Sequence, residues 1–247
     1  MVFQCGLLSL LAALVARVTI TFSFNSAPIS VFIVTLSPDF SRQNQKPLLV
    51  FGTGGHGRVV AEAALLQARW ESVTASARTI PAHVFELLPG VQLVEMNTAM
   101  QIGAELHIAI GNNVARQTEA TIFGLDRLVS VVHPRASVST FSHIGAGCFV
   151  AAGAVIAPLA KIGIGVIVNH GAVVDHDAEV GAFSYIAQSA SVCGHAKLGQ
   201  RVQIGSGAVV LSSVVLGDDV VLSAGSIASC DLLAPGLYGG IPAVKIE

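Results

Sequence analysis

Residues 168–186 read Val168-Asn-His-Gly-Ala-Val-Val174-Asp-His-Asp-Ala-Glu-Val180-Gly-Ala-Phe-Ser-Tyr-Ile186, and an aliphatic residue returns every six positions. Extended in both directions, the same step lands on Val, Ile or Leu at all sixteen positions from Val132 to Leu222. Four residues after each stands Ala, Ser, Cys or Val, from Ala136 through Cys148 and Ala172 to Ser226. A helix repeats its apolar face at 3.6 residues and a half-buried strand at two, so a strict period of six belongs to neither. A triangular coil satisfies it. Each hexad gives one short strand and one corner, three hexads close a coil, and coils stack about 4.8 Å apart through parallel strand pairing. The aliphatic residue and its small partner then both point into a narrow core.

This core explains a composition that otherwise suggests a membrane protein. The 247 residues are 53% hydrophobic but 6% aromatic and 11% charged, with a mean hydropathy of +0.71, against about 25% charged in an ordinary soluble domain. The charge-free stretches 18–38 and 136–160 are broken throughout by polar residues and Pro, which a span of roughly 20 apolar residues does not tolerate. The run Gly6–Ala16 has signal-peptide length, but the preceding MVFQC carries no positive charge and no clean small-residue cleavage site follows. Residues 1–45 are therefore expected to be an extension, disordered or translated upstream of the true start, although no methionine lies between Met1 and Met96. A net charge of −2 gives no basic footprint for nucleic acid and no support for an anionic membrane partner. The four cysteines form no CxxC pair, as in a reduced, cytoplasmic protein.

Upstream of the repeat the pattern changes. Pro47–Phe51 reads as a buried strand, Gly52-Thr-Gly-Gly-His-Gly57 as a turn, and the stretch from Arg58 to Arg69 as a helix. Glycines of this kind let the backbone approach an anion while helix N-terminal amides donate to it. A dinucleotide fold is disfavoured, because Val73-Thr-Ala-Ser-Ala-Arg-Thr-Ile80 supplies no acidic residue for a ribose. A second strand, Leu106–Ile110, leads through Gly111-Asn-Asn113 into a helix ending near Phe123. Both loops would lie at the carboxyl ends of their strands, where open α/β sheets bind ligands. The expected organisation is an α/β Rossmann-like unit at 46–126, covering one end of an all-β repeat domain at 127–247.

Taken in order, the GTGGHG loop, the IAIGNN loop, His133-Pro-Arg-Ala136, the hexads and Gly240-Ile-Pro-Ala243 resemble the bacterial sugar O-acyltransferase family. That family includes sialic acid O-acetyltransferases and UDP-4-amino-sugar N-acetyltransferases. The resemblance runs from about Lys46 to the end. It implies a left-handed parallel β-helix, a homotrimer with active sites between subunits, acetyl-CoA as co-substrate without a metal, and a sugar or nucleotide-sugar acceptor for surface polysaccharide or glycan synthesis. It also implies His176 as proton acceptor and Asp177 as the carboxylate raising its basicity. Thr53, Gly54, Gly55, His56, Gly111 and Asn169 fall on the substrate side, and Tyr185 and Gly194 on the acetyl-CoA side. Tyr185 stands where relatives carry a histidine, and the acidic pair that reads the nucleotide base in the aminosugar enzymes is missing.

The residues agree with this chemistry. An imidazole titrates near neutral pH and can take the proton of an attacking amine or hydroxyl. His176 lies two residues past inward-pointing Val174, at a corner facing outward. One coil above it is Gly194, whose missing side chain leaves room for a thioester. Asp177 lies one coil below His195, a local charge partner. Adjacent strand residues face opposite ways, so Asp177 can reach His176 only if the corner bends the chain. Two rivals remain. A metal hydratase would need three histidines, but His170 and His176 occupy successive corners, too far apart to share an ion within one chain. A non-catalytic scaffold or sugar-binding solenoid would bind no coenzyme.

Overall fold

The computed structural model describes residues 19–24, 27–32, 45–80, 83–101 and 103–246. The chain divides into two units, Met1–Asn44 and Gln45–Glu247. In the first, strands Thr19–Phe24 and Ala27–Phe32 pair antiparallel. The signal-length run Gly6–Ala16 and most of the expected extension 1–45 lie outside the described residues.

In the second unit the hexads form two-residue strands in three sheets, stacked as a left-handed parallel β-helix with a register of one coil. Phe149 pairs with Ile167 and Ile167 with Tyr185; Val155 pairs with Val173 and Val173 with Ser191; Lys161 pairs with Glu179 and Glu179 with Lys197. The aliphatic rungs from Val150 to Leu222 are buried, and Val132, Val138 and Ile144 of the first coil pack more loosely on the same core. The small partners fill the inside of each corner, where Ala154, Ala160, Ala172 and Ala190 are fully buried. Each rung removes a side chain from water for roughly 1.5–3 kcal/mol, which is why no aromatic is needed inside.

The corners are tight turns closed by backbone bonds such as Ala178 N to Asp175 O, 3.3 Å. From Gly147 to Gly225 the third residue past each rung takes a positive φ, and eight of these are not glycine, among them Asp177 (58°) and His195 (60°). Such a φ at the third turn position is the type II geometry and costs a non-glycine residue roughly 1–2 kcal/mol.

The α/β part has a parallel three-stranded sheet in the order Val73–Ser76, Leu48–Phe51, Glu105–Ile108, with helices α1 (Gly55–Gln67), α2 (Met96–Gln101) and α3 (Asn113–Phe123). Helix α1 starts three residues earlier than expected, inside the glycine loop. Gly57 permits this, because a Cβ there would meet the Gly52 carbonyl oxygen at 2.0 Å. The α/β part lies against the first side of the solenoid, and Gln67 of α1 accepts from Val132 N on the edge of the first coil. Outward-facing Val131, Phe149 and Ile167 share a core there with Leu48, Val60 and Trp70. Leu232, Tyr238 and Ala243 near the carboxyl end join the solenoid core. The second side presents Ser137, Val155, Val173, Ser191, Val209 and Ile227, all uncharged, whereas the third presents His143, Lys161, Glu179 and Lys197.

Candidate active site

The corner between the second and third sides gathers the titratable groups. The bend at Asp177 folds its carboxylate back onto the preceding residue, so His176 Nδ1 lies 2.9 Å from Asp177 Oδ2. Asp175 Oδ1 accepts from the His176 backbone N–H at 2.7 Å and fixes the entry to the turn. The hydrogen bond to Asp177, followed by the charge of Asp175, raises the His176 pKa above its ordinary value. One coil above, His195 Nε2 stands 3.9 Å from the same Asp177 oxygen, and the two imidazoles meet edge to face at 5.3 Å.

The room left by Gly194 is taken by the catalytic candidate itself. A Cβ at Gly194 would lie 2.7 Å from His176 Cε1 and 2.8 Å from Nε2. Glycine thus lets the imidazole lie flat against the coil above it. From Asp177 and His195 a groove of about 460 Å³ opens over the third side between Lys161 and Lys197, with Phe141 and Leu159 as apolar walls. Among the described residues, His176, Asp177 and His195 also place one ligating atom each within 4.8 Å of the others. An ion could enter there only in competition with the imidazole–carboxylate bond.

The substrate-side residues gather elsewhere. Gly54 caps α1 without any side-chain hydrogen bond, and a Cβ at Gly54, Gly55 or Gly111 would meet nothing within 4 Å. The first-turn amides of α1 are therefore open beside Thr53. His56 packs edge to face on Phe149 at 5.3 Å. Its Nε2 is sealed from solvent without a partner among the described residues, and burial pushes its pKa down to about 3. His107, fully buried with Nδ1 2.9 Å from Val129 O, is likewise lowered to about 4 by burial. In the Gly-Asn-Asn loop Asn112 caps α3 by accepting from Ala115 N at 2.9 Å. Asn113 donates to Arg201 O at 3.0 Å and ties the loop to the solenoid.

Asn169 is buried and donates to the Tyr185 hydroxyl at 2.6 Å, so these two residues belong to the first side. His176, Asp177 and Gly194 lie one corner further along the chain. The structure thus forms two clusters, and the residues matched to acetyl-CoA, Tyr185 and Gly194, fall in different ones. His107, Asn113 and His195 were not singled out as site residues in the sequence. Only His195, by its one-coil offset from Asp177, carried a signal there.

The PglD N-terminal domain model matches residues 47–121, and the bacterial transferase hexapeptide (six repeats) model matches 195–227. A search of the curated proteins gives no match. Among solved structures, PerB from Caulobacter crescentus, in complex with CoA and GDP-perosamine, is 31% identical over 81% of this chain and 97% of its own, with a TM-score of 0.74. The acetyltransferase domain of PglB from Neisseria gonorrhoeae is 29% identical over 81% of this chain and 100% of its own, again at 0.74. It is also known in complex with acetyl coenzyme A. The chain therefore belongs to the sugar acyltransferase family of hexapeptide-repeat proteins, and it is an acyltransferase.

Proposed function

We propose that this protein transfers an acetyl group from acetyl-CoA to an amine or hydroxyl of a nucleotide-linked sugar, with His176 as general base and Asp177 raising its basicity. The observation that carries the proposal is the 2.9 Å contact between His176 Nδ1 and Asp177 Oδ2 beside an open groove. With Nδ1 held by the carboxylate, Nε2 is the free base. It takes the proton from the attacking amine or hydroxyl as the new N–C or O–C bond forms to the thioester carbonyl. The tetrahedral oxyanion collapses, the C–S bond breaks, and the imidazolium returns its proton to the departing thiolate.

The groove suits the other substrate. Its apolar walls at Phe141 and Leu159 fit the pantetheine arm, and Lys197 offers a cation to its phosphates. Residues 46–126 would hold the sugar nucleotide through Thr53, Gly54, Gly55, His56 and Gly111, with Asn169 from the coil, while 127–247 carry out transfer. In this proposal the two clusters on separate corners are completed across a homotrimer interface. The uncharged second side, Val155, Val173, Val209 and Ile227, supports burial between subunits. Tyr185 can donate a hydrogen bond near the reacting carbonyl but cannot replace an imidazole as base.

A mass-spectrometric screen of nucleotide-linked aminosugars and sialic acids with acetyl-CoA tests the activity. In that assay His176→Ala lowers turnover by at least about 10²-fold, while the melting temperature stays that of the wild type because the ring is exposed. Wild-type turnover in the variant would remove His176 from the mechanism.

A further inference from the structure

Arg116 on α3 is the largest fully buried side chain of the described residues, and its charge has no partner of opposite sign. Its guanidinium donates from Nε to Gly165 O at 2.8 Å. One terminal nitrogen donates to Ile110 O at 2.9 Å and Gly111 O at 3.0 Å. The other donates to Asn113 Oδ1 at 2.9 Å, Phe183 O at 2.7 Å and Ser184 O at 3.3 Å. All six acceptors are neutral, and no ion pair involves Arg116 among the described residues. Burial pushes its pKa down to about 10, so it stays protonated at neutral pH. A buried cation without an anion is costly, and neutral donors would hold a loop to a coil at less expense.

The location of that charge gives it a use. Two of its acceptors are the carbonyls of Ile110 and Gly111, at the carboxyl end of the strand paired with Leu48–Phe51. The glycine loop is next to it, since Ala109 N donates to Phe51 O at 2.7 Å and a Cβ at Gly52 would lie 2.5 Å from Ala109 O. The Arg116 charge reaches His56 in that loop and contributes to its lowered pKa. Of the other cations near the loops, Arg58 in the first turn of α1 is exposed to water, which screens its charge. Arg78 is neutralised by Glu119 at 2.7 Å, and His56 and His107 are held neutral by burial.

We infer that Arg116 is a positioning residue that also sets ligand charge preference: it fixes the Gly111 loop on the coil, and its unpaired charge favours a ligand bearing a diphosphate over the corresponding uncharged nucleoside. The inference rests on the reading that the two glycine loops hold a nucleotide-linked sugar. The fork supplies geometry, while the charge acts through the low-dielectric protein on whatever anion enters the cleft.

The test is isothermal titration of the full chain with UDP, GDP, uridine, guanosine and CoA, at matched ionic strength. Arg116→Gln loses both the fork and the charge, so the affinity for the bound nucleoside diphosphate falls on the order of tenfold further than that for the nucleoside, whereas CoA affinity changes less than about twofold. Arg116→Lys keeps the charge and loses the fork, so diphosphate and nucleoside affinities fall together and their ratio stays that of the wild type. A purely structural arginine would lower both ligands equally in Arg116→Gln, and that result overturns the inference. If Arg116→Gln does not fold, Arg116→Lys decides, because a collapsed ratio in a variant that retains the charge overturns it equally. Binding of neither diphosphate to the wild type would refute the nucleotide-sugar reading itself.

Discussion

Replacing Gly194 with alanine tests the site at its tightest point. A Cβ there would sit 2.7 Å from His176 Cε1, about 0.7 Å inside the 3.4 Å at which ordinary contact begins. The coil backbone is held from both sides by cross-coil bonds, including Cys193 N to Val210 O at 3.0 Å and His195 N to His176 O at 3.1 Å. The exposed imidazole must therefore give way. A displacement of that size carries Nδ1 from 2.9 Å to about 3.5 Å from Asp177 Oδ2, beyond a useful hydrogen bond. It also misplaces Nε2 by a distance that costs a positioned catalyst on the order of 10–100-fold. Stability should hardly move, because the atom that shifts is the free end of a solvent-exposed side chain. A change within about 0.5 kcal/mol is expected, or under about 2 °C in melting temperature. The assay is thiol release from acetyl-CoA followed against pH, with kcat separated from KM for each substrate. The pH profile separates a moved base from a blocked groove. The His176 pKa lies above its ordinary value in the wild type, so the ascending limb, where the base loses its proton, lies above about 6.5. Loss of Asp177 contact moves that limb to lower pH as kcat falls. A variant with wild-type kcat and an unmoved limb would refute the account of how Gly194 seats the imidazole.

Three other changes probe separate parts of the molecule. Asp177→Asn keeps a residue that tolerates positive φ but removes the charge; kcat should fall and the acidic limb should again move down, so an unchanged profile would detach Asp177 from His176. Ser184→Ala removes a buried hydroxyl that donates to Gly199 O and accepts from Val202 N, both at 3.0 Å. Leaving those groups unpaired costs about 2 kcal/mol, read as a fall of about 4–8 °C in melting temperature; a smaller fall means that water replaces the hydroxyl. Val173→Asp places a charge in the middle of the uncharged second side. On the proposed homotrimer, sedimentation should then shift from trimer to monomer, and persistent trimers would move the subunit interface elsewhere.

The rungs were legible in the sequence because their burial repeats: each aliphatic residue meets the same geometry six residues later, so the pattern survives without knowledge of the neighbours. The place of His176 two residues past Val174 puts it at an outward-facing corner, and its proposed role as base came from the family resemblance. Its pairing with Asp177 was not legible, because it depends on a φ of 58° at Asp177, a backbone state that side-chain alternation does not encode. The occupant of the space at Gly194 was hidden for the same reason. Coil stacking names the neighbour as His176, but not the side to which the ring folds. Arg116 shows the limit more sharply. Its acceptors on the coil are backbone carbonyls of Gly165, Phe183 and Ser184, which are 49 to 68 residues away, and every residue type has such a carbonyl. A carboxylate partner would have left a trace in the sequence; a carbonyl partner leaves none.

The docking of the α/β part is the opposite case. The residue before each rung faces outward, and every third one reads Val131, Phe149, Ile167, Tyr185 on the first side but His143, Lys161, Glu179, Lys197 on the third. An exposed side has no physical reason to carry four large apolar or aromatic residues in one column, while a charged column can face water at no cost. That contrast was present in the sequence and points to a covered first side. The same column explains why the two glycine loops come close to the coil. Phe149 packs against His56 at 5.3 Å and His107 at 6.3 Å, so the apolar column that anchors the α/β part also seats the histidine of its first glycine loop.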